Sequence, residues 1–128
     1  MVVYYPGMNQ AAEDRADALF HALADRTRRD ILRRVLDGEH TVTSLAGSYD
    51  MSFAAVQKHV AVLERAGLLT KRRRGREALA SGKVKAVQSA AALLFELENI
   101  WRGRIDRIDA LLDQTSGAGR NQARRNQH

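Results

Sequence analysis

Apolar residues recur at helical spacing along most of the chain. Leu19, Phe20 and Leu23 form a short stripe in a segment that reads as helix from Asp14 onward. Asp25 offers an N-cap. Behind it Ile31, Leu32, Val35 and Leu36 repeat at spacings of three and four, which predicts a second helix over 26–37. Gly38 follows the last apolar residue, where a left-handed C-terminal cap is expected. Thr43 is placed to cap a short third helix carrying Leu45, Ala46 and Tyr49, and Asp50 and Met51 make a turn. Ser52 then caps a fourth helix in which Val56, Val60 and Leu63 fall on one face, and Gly67 ends it.

Beyond Gly67 the pattern changes. Leu68, Leu69 and Thr70 read as a short strand leading into a run of basic residues, with Gly75 at a hairpin tip and 77–81 returning. The Ala78-Leu79-Ala80 centre of that return has poor strand propensity. One long helix follows from 83 to about 112, interrupted only by Gly103. Along it Leu94, Leu97, Trp101, Ile105, Ile108 and Leu112 step by three or four, a near-heptad seam that needs another helix to cover it. Residues 1–12 have no period and read as an N-terminal arm, 13–115 as the folded domain, and 116–128 as a disordered basic tail. Two helices joined by a short turn describe a helix-turn-helix. The expected fold class is mainly α: a winged helix-turn-helix with a short two-stranded wing and a long C-terminal dimerisation helix.

Composition narrows the chemistry. The 128 residues suit one small domain, and the absence of cysteine removes disulfides, thiolate metal sites and cysteine nucleophiles together. No run of 18 apolar residues occurs, and the first ten residues lack the charged-then-apolar pattern of an export signal. The expectation is a cytoplasmic protein with no membrane partner. The net charge of +6 is unevenly placed. Lys71, Arg72, Arg73, Arg74 and Arg76 cluster at the hairpin, Arg120, Arg124 and Arg125 lie in the tail, and the remainder is slightly acidic. A basic cluster on a balanced body is the footprint of a polyanion binder, although a charge run can also be no more than a solvated face.

The segment from Phe20 to Leu32, Phe-His-Ala-Leu-Ala-Asp-Arg-Thr-Arg-Arg-Asp-Ile-Leu, resembles the opening of ArsR/SmtB-type transcriptional repressors. So does Met51-Ser52-Phe53-Ala54-Ala55-Val56-Gln57-Lys58-His59-Val60, together with Leu63-Glu64-Arg65-Ala66-Gly67-Leu68-Leu69. The similarity spans about residues 16–112 and departs at Arg26, where the family usually has proline. The resemblance implies a symmetric homodimer that binds a palindromic promoter site. It also implies an interface built from the first and last helices, here Leu19 with Leu94, Leu97, Trp101, Ile105, Ile108 and Leu112. Repression itself is an implication of the resemblance, weakly supported by a chain with little to offer beyond occluding a promoter.

A recognition helix presents its N-terminal part to base edges. With Val56, Val60 and Leu63 turned inward, the opposite face carries Ser52, Phe53, Gln57, Lys58 and Ala61. Gln57 suits a bidentate contact to adenine, and Lys58 a guanine edge or a phosphate. Phe53 suits a thymine methyl or packing against the preceding helix. His59 lies beside the buried face, where packing or capping is favoured over the alternative of a base contact. Thr43 and Ser44 open the third helix, whose free N–H groups and hydroxyls favour phosphate. The hairpin cations Lys71, Arg72, Arg73, Arg74 and Arg76 are expected to follow the DNA backbone or enter the minor groove.

Metal sensing is not expected. The third-helix region Thr41–Leu45 has no thiol, the last helix has no histidine, and His21, His40, His59 and His128 lack ligand spacing. No cofactor is implied, and a small-molecule effector is left open. An enzyme is disfavoured. Asp106, Asp109 and Asp113 interleave with Arg102, Arg104 and Arg107, which reads as an exposed face stapled by ion pairs. No nucleophile–base set or phosphate-cradling loop is present. Two alternatives to a sequence-specific regulator of double-stranded DNA stand: a winged helix that binds an acidic protein partner, and one that binds nucleic acid nonspecifically.

Overall fold

Local caps set most of the helix boundaries. In the computed structural model, which describes residues 10–115, Asp25 Oδ2 accepts the backbone N–H of Arg28 at 3.0 Å and α2 runs Arg26–Asp37. Ser52 Oγ accepts the N–H of Ala55 at 3.1 Å and opens α4, Phe53–Arg65. At the other end of α4, Leu68 N–H reaches Leu63 O and Gly67 N–H reaches Glu64 O. That paired closure needs a left-handed residue, and Gly67 supplies it at φ 79°. Both N-caps agree with the sequence reading, as does the buried face of α4; in α2 Ile31, Leu32 and Val35 are buried but Leu36 is 37% exposed.

Elsewhere the boundaries move. Helix α1 runs Gln10–Leu23, so it starts within the segment expected to be an arm. Gly38 closes α2 through its N–H to Arg34 O, but at φ 172° it is extended and not left-handed. The short α3, Val42–Ala46, is capped by Thr41 and not by Thr43: Thr41 Oγ1 accepts the N–H of Ser44 at 3.0 Å. Thr41 gains that position because it belongs to a strand that the sequence does not announce. His40 and Thr41 form β1, which pairs antiparallel with β3, Glu77–Gly82; β3 also pairs with β2, Leu69–Arg74. The sheet therefore has three strands in the order β1-β3-β2, and the return strand is its centre. Pairing on both edges and burial of Leu79 and Ala80 override the weak propensity of Ala78-Leu79-Ala80. The basic run lies within β2 itself. The hairpin turns at Gly75, whose φ of 65° fits the first position of a two-residue loop.

The chain divides into two compact units at Ala90. In the first, Ile31, Leu32 and Val35 of α2 pack with Val42 and Leu45 of α3, Val56, Val60 and Leu63 of α4, and Leu68, Leu69 and Ala80 around the sheet. Leu19, expected at an interface, instead belongs to this core at 7% exposure, and the adjacent Phe20 is the large apolar side chain that α1 leaves exposed. A period of 3.6 lets either neighbour face inward, and packing within this unit selects Leu19. Gly82 is where β3 closes on α2. A Cβ there would lie 2.7 Å from Leu36 Cδ2 and 3.0 Å from the Leu36 backbone. Gly82→Ala is therefore expected to destabilise the protein by about 1–3 kcal/mol in urea unfolding, because backbone cannot swing aside as a side-chain tip can.

Helix α5 runs Val84–Thr115, three residues beyond the expected end. Its first turns belong to the first unit, where Ala90 is buried and Ala86 and Val87 pack on the core. The remainder, from Ala91, forms the second unit. There Arg102 pairs with Glu98 at 2.7 Å rather than with the aspartates expected to staple the face. Thr115 Oγ1 donates to Leu111 O near the helix end. All six seam residues are exposed, from Ile105 at 38% to Leu97 at 61%. The expected tail, 116–128, and residues 1–9 lie outside the described residues.

Candidate nucleic-acid interface

The exposed face of α4 and the inner face of the hairpin enclose a groove of about 370 Å³. Val42, Val60 and Ala78 contribute its apolar lining, and Thr43, Phe53, Gln57, Lys71, Arg73 and Arg76 line it with polar, aromatic and cationic groups, alongside Glu77. Six residues picked from three separate stretches of sequence thus converge on one concavity. The placement follows from the elements. Val56, Val60 and Leu63 are fully buried, and Phe53 and Gln57, at helical spacing from Val60, stand at the exposed edge of that face, so Val60 forms the floor they share in the groove. In β2, side chains alternate between faces, so Lys71 and Arg73 point together towards the groove.

The other expected residues are distributed around this groove. Ser44 and Lys58 are exposed but not among its lining, and the Ser52 hydroxyl is engaged in the α4 cap. His59 turns away from it. Its Nδ1 lies 3.4 Å from Arg28 Nη1 and 3.9 Å from Asp25 Oδ2, contacts that fit packing or capping at the α1–α2 junction. Arg28 also donates to Ala22 O at 2.8 Å and His21 O at 2.9 Å, and Arg29 donates to Leu23 O at 2.7 Å. The two arginines therefore satisfy the carbonyls at the end of α1 and tie α1 to α2. The backbone N–H of Arg28 holds the Asp25 carboxyl below the usual carboxylate range.

The hairpin cations are not equivalent. Arg72 pairs with Glu39, Nε to Oε2 at 3.2 Å and Nη2 to Oε1 at 3.3 Å, and Lys71 Nζ lies 3.5 Å from Glu64 Oε1. Arg73, Arg74 and Arg76 make no ion pair among the described residues. Sequence reasoning missed both carboxylates, because 33 residues separate Glu39 from Arg72 and nothing local links them.

Tyr49, expected on the third helix, lies in the turn after α3, and a polar cluster that also escaped sequence reasoning ties that turn to α2. Tyr49 donates its hydroxyl to Asp30 Oδ2 at 2.5 Å, Arg34 Nε donates to the same oxygen at 3.0 Å, and the Arg34 guanidinium lies 5.4 Å from the Tyr49 ring centre. Burial, and then the bond to Asp30, push the Tyr49 phenol up to about 12. The Tyr49 hydrogen bond and then that from Arg34 lower Asp30 from its ordinary value. The unfolded chain loses a phenolic proton near 10, so the folded state keeps its proton longer. Stability from this group is present below about pH 10 and lost as pH rises towards 12. Tyr49→Phe is expected to remove the highest-midpoint component from an absorbance titration of tyrosine ionisation.

Among the described residues, no group of three or more His, Cys, Asp or Glu is placed to hold a metal, and no helix is long and apolar enough to cross a membrane.

Comparison with known proteins agrees with this geometry. A helix-turn-helix domain family matches residues 23–72, which include α2, β1, α3 and α4. The uncharacterised HTH-type transcriptional regulator YuzN of Bacillus subtilis (strain 168) is 43% identical over 67 residues, 47% of this chain and 73% of that protein. The crystal structure of an ArsR family transcriptional regulator superposes with a TM-score of 0.66 at 30% identity, covering 79% of this chain and 97% of that one. The homodimeric winged helix-turn-helix DNA-binding domain from Mycobacterium bovis shares the fold at 20% identity, with a TM-score of 0.60, over 76% of this chain and 91% of that one. The α4–hairpin groove, the three-stranded wing and these likenesses together place the chain in the ArsR family of winged helix-turn-helix, DNA-binding transcriptional regulators.

Proposed function

We propose that the protein is a cytoplasmic, dimeric repressor that occludes a palindromic promoter site and does not sense metals. The α4–hairpin groove carries this reading, because it gathers base-reading and phosphate-binding chemistry on one face. Gln57 reads adenine, Phe53 contacts a thymine methyl, and Lys58 takes a guanine edge or phosphate. Thr43, Ser44 and Ser52 hold phosphate from the ends of α3 and α4, while Lys71, Arg73, Arg74 and Arg76 follow the backbone. His59 supports α4 from behind. Residues 13–115 form the working module, and the arginines of 116–128 add to its attraction for DNA.

Two copies pair through the exposed α5 seam. The homodimeric state of the Mycobacterium bovis domain supports the pairing of two copies, and the exposed apolar seam supports its place on α5. A two-fold axis then matches two reading heads to two half-sites. The chain has no cysteine, and its last helix has no histidine, so release from DNA does not run through a thiol or a histidine on that helix and falls to a small molecule, a partner protein or nothing.

A gel-shift series on the upstream region of the protein's own operon, with nonspecific competitor and increasing salt, tests the reading. A repressor keeps a specific complex under competitor. Binding that competitor abolishes marks nonspecific association, and no binding at low salt marks a protein-contact module. In the same assay Gln57→Ala is expected to relax preference at one base pair per half-site, with a discrimination loss of about 1–3 kcal/mol. Unchanged preference across a base-substitution series counts against Gln57 as a reader.

A further inference from the structure

The cations of β2 fall on two faces of the sheet. Lys71 and Arg73 line the groove beside α4, so Arg72 between them projects to the opposite face. Register places Arg72 opposite Leu79 of β3, and Leu79 opposite Thr41 of β1, so these three share that face. Glu39 directly precedes β1. Because β3 lies between β1 and β2, the Arg72–Glu39 pair reaches across the central strand at Leu79. Leu79 is buried yet stands outside the core cluster, which fits cover from this strap. The pair is fork to fork, the most directional form of arginine–carboxylate contact.

We infer that Glu39 stands in for a DNA phosphate, holding Arg72 as a positioning residue of the wing and keeping its charge out of the DNA contact. The inference rests on the DNA-binding reading above. Phosphate contacts displace counterions and steepen the salt dependence of binding, one increment per cation engaged. Arg72 must leave a bidentate carboxylate to add its increment, and Glu39 then faces the phosphate as a like charge. Glu39 thereby attenuates a wing whose sequence carries five cations, and shifts the electrostatic contact to the groove side, where Arg73 and Arg76 lie.

The salt dependence of binding to a mixed-sequence DNA duplex tests this, using the full chain and fluorescence anisotropy. Arg73→Ala is expected to flatten the logarithmic slope by about one per chain bound, while Arg72→Ala leaves it at the wild-type value. Glu39→Gln is expected to tighten binding and steepen the slope by about one per chain, so its advantage shrinks about threefold between 50 and 200 mM salt. That gain disappears in Arg72→Ala/Glu39→Gln, which separates release of Arg72 from the mere loss of a negative charge. Arg72→Lys keeps the charge but loses the fork, and moves the slope towards that of Glu39→Gln. The inference is overturned if Arg72→Ala flattens the slope as Arg73→Ala does, or if Glu39→Gln keeps the wild-type slope. Absence of any binding by the wild-type chain at low salt defeats the DNA-binding reading itself, and is distinguishable from both.

Discussion

Trp101→Asp/Ile108→Asp is expected to run as a single chain in light scattering, where the wild-type protein is expected to run as two, and to lose at least a hundredfold in affinity for a two-half-site operator. The seam is apolar at every step from Leu94 to Leu112, and each of its six side chains is exposed in the isolated chain. A contiguous apolar stripe over about five helical turns is far more than single exposed residues, and fits the proposed pairing of two copies. Burying two carboxylates at its centre sets a charge-desolvation penalty against the apolar gain, and the penalty wins. The affinity loss follows from linkage. Joining two reading heads makes the second half-site contact intramolecular, an effect of about 10²–10⁴ that monomers forfeit. Phe95 supplies the control. It is exposed at 62% but lies beside Leu94 and off the seam, so Phe95→Asp leaves the mass of the complex unchanged. A double variant that still runs as two chains removes the seam from the interface.

What was legible in the sequence was what forms locally. Asp25 and Ser52 cap α2 and α4 because an acceptor three residues before an N–H acts within one turn, and the apolar repeats behind them fix the buried faces. Six of the ten residues that line the groove were legible, since an amphipathic helix shows which face it hides and therefore which it offers, whereas Val42, Val60, Glu77 and Ala78 enter it only through the fold. The parts decided at long range were not. His40 and Thr41 are a strand only because β3 lies beside them, and that pairing moves the α3 cap from Thr43 to Thr41. Leu19 and Phe20 are adjacent in one stripe, and packing with other elements of the first unit chooses between them. The five hairpin cations looked alike as a run. Strand alternation and two distant carboxylates, Glu39 and Glu64, make them different.

That difference fixes the second expected result. Arg73→Ala/Arg76→Ala is expected to weaken binding to every duplex, cognate or not, and to flatten the logarithmic salt slope by about two per chain, or nearly four for a dimer. Over a fourfold rise in salt, four contacts correspond to about a hundredfold change in affinity, so the variant and the wild type differ most at low salt and converge as salt rises. Both arginines line the groove and neither has an ion-pair partner among the described residues, so their charge is available to phosphate without first breaking a contact. Lys71 shares the groove but lies 3.5 Å from Glu64, and its removal is expected to flatten the slope less. Base preference should survive, because a guanidinium on phosphate carries no sequence information, and the proposed base reader, Gln57, is left in place. Anisotropy titrations at four salt concentrations on cognate and scrambled duplexes separate these contributions. A double variant with the wild-type slope shows that the groove side of the wing does not meet the phosphate backbone. A double variant that loses preference while keeping its slope moves Arg73 and Arg76 from positioning to reading.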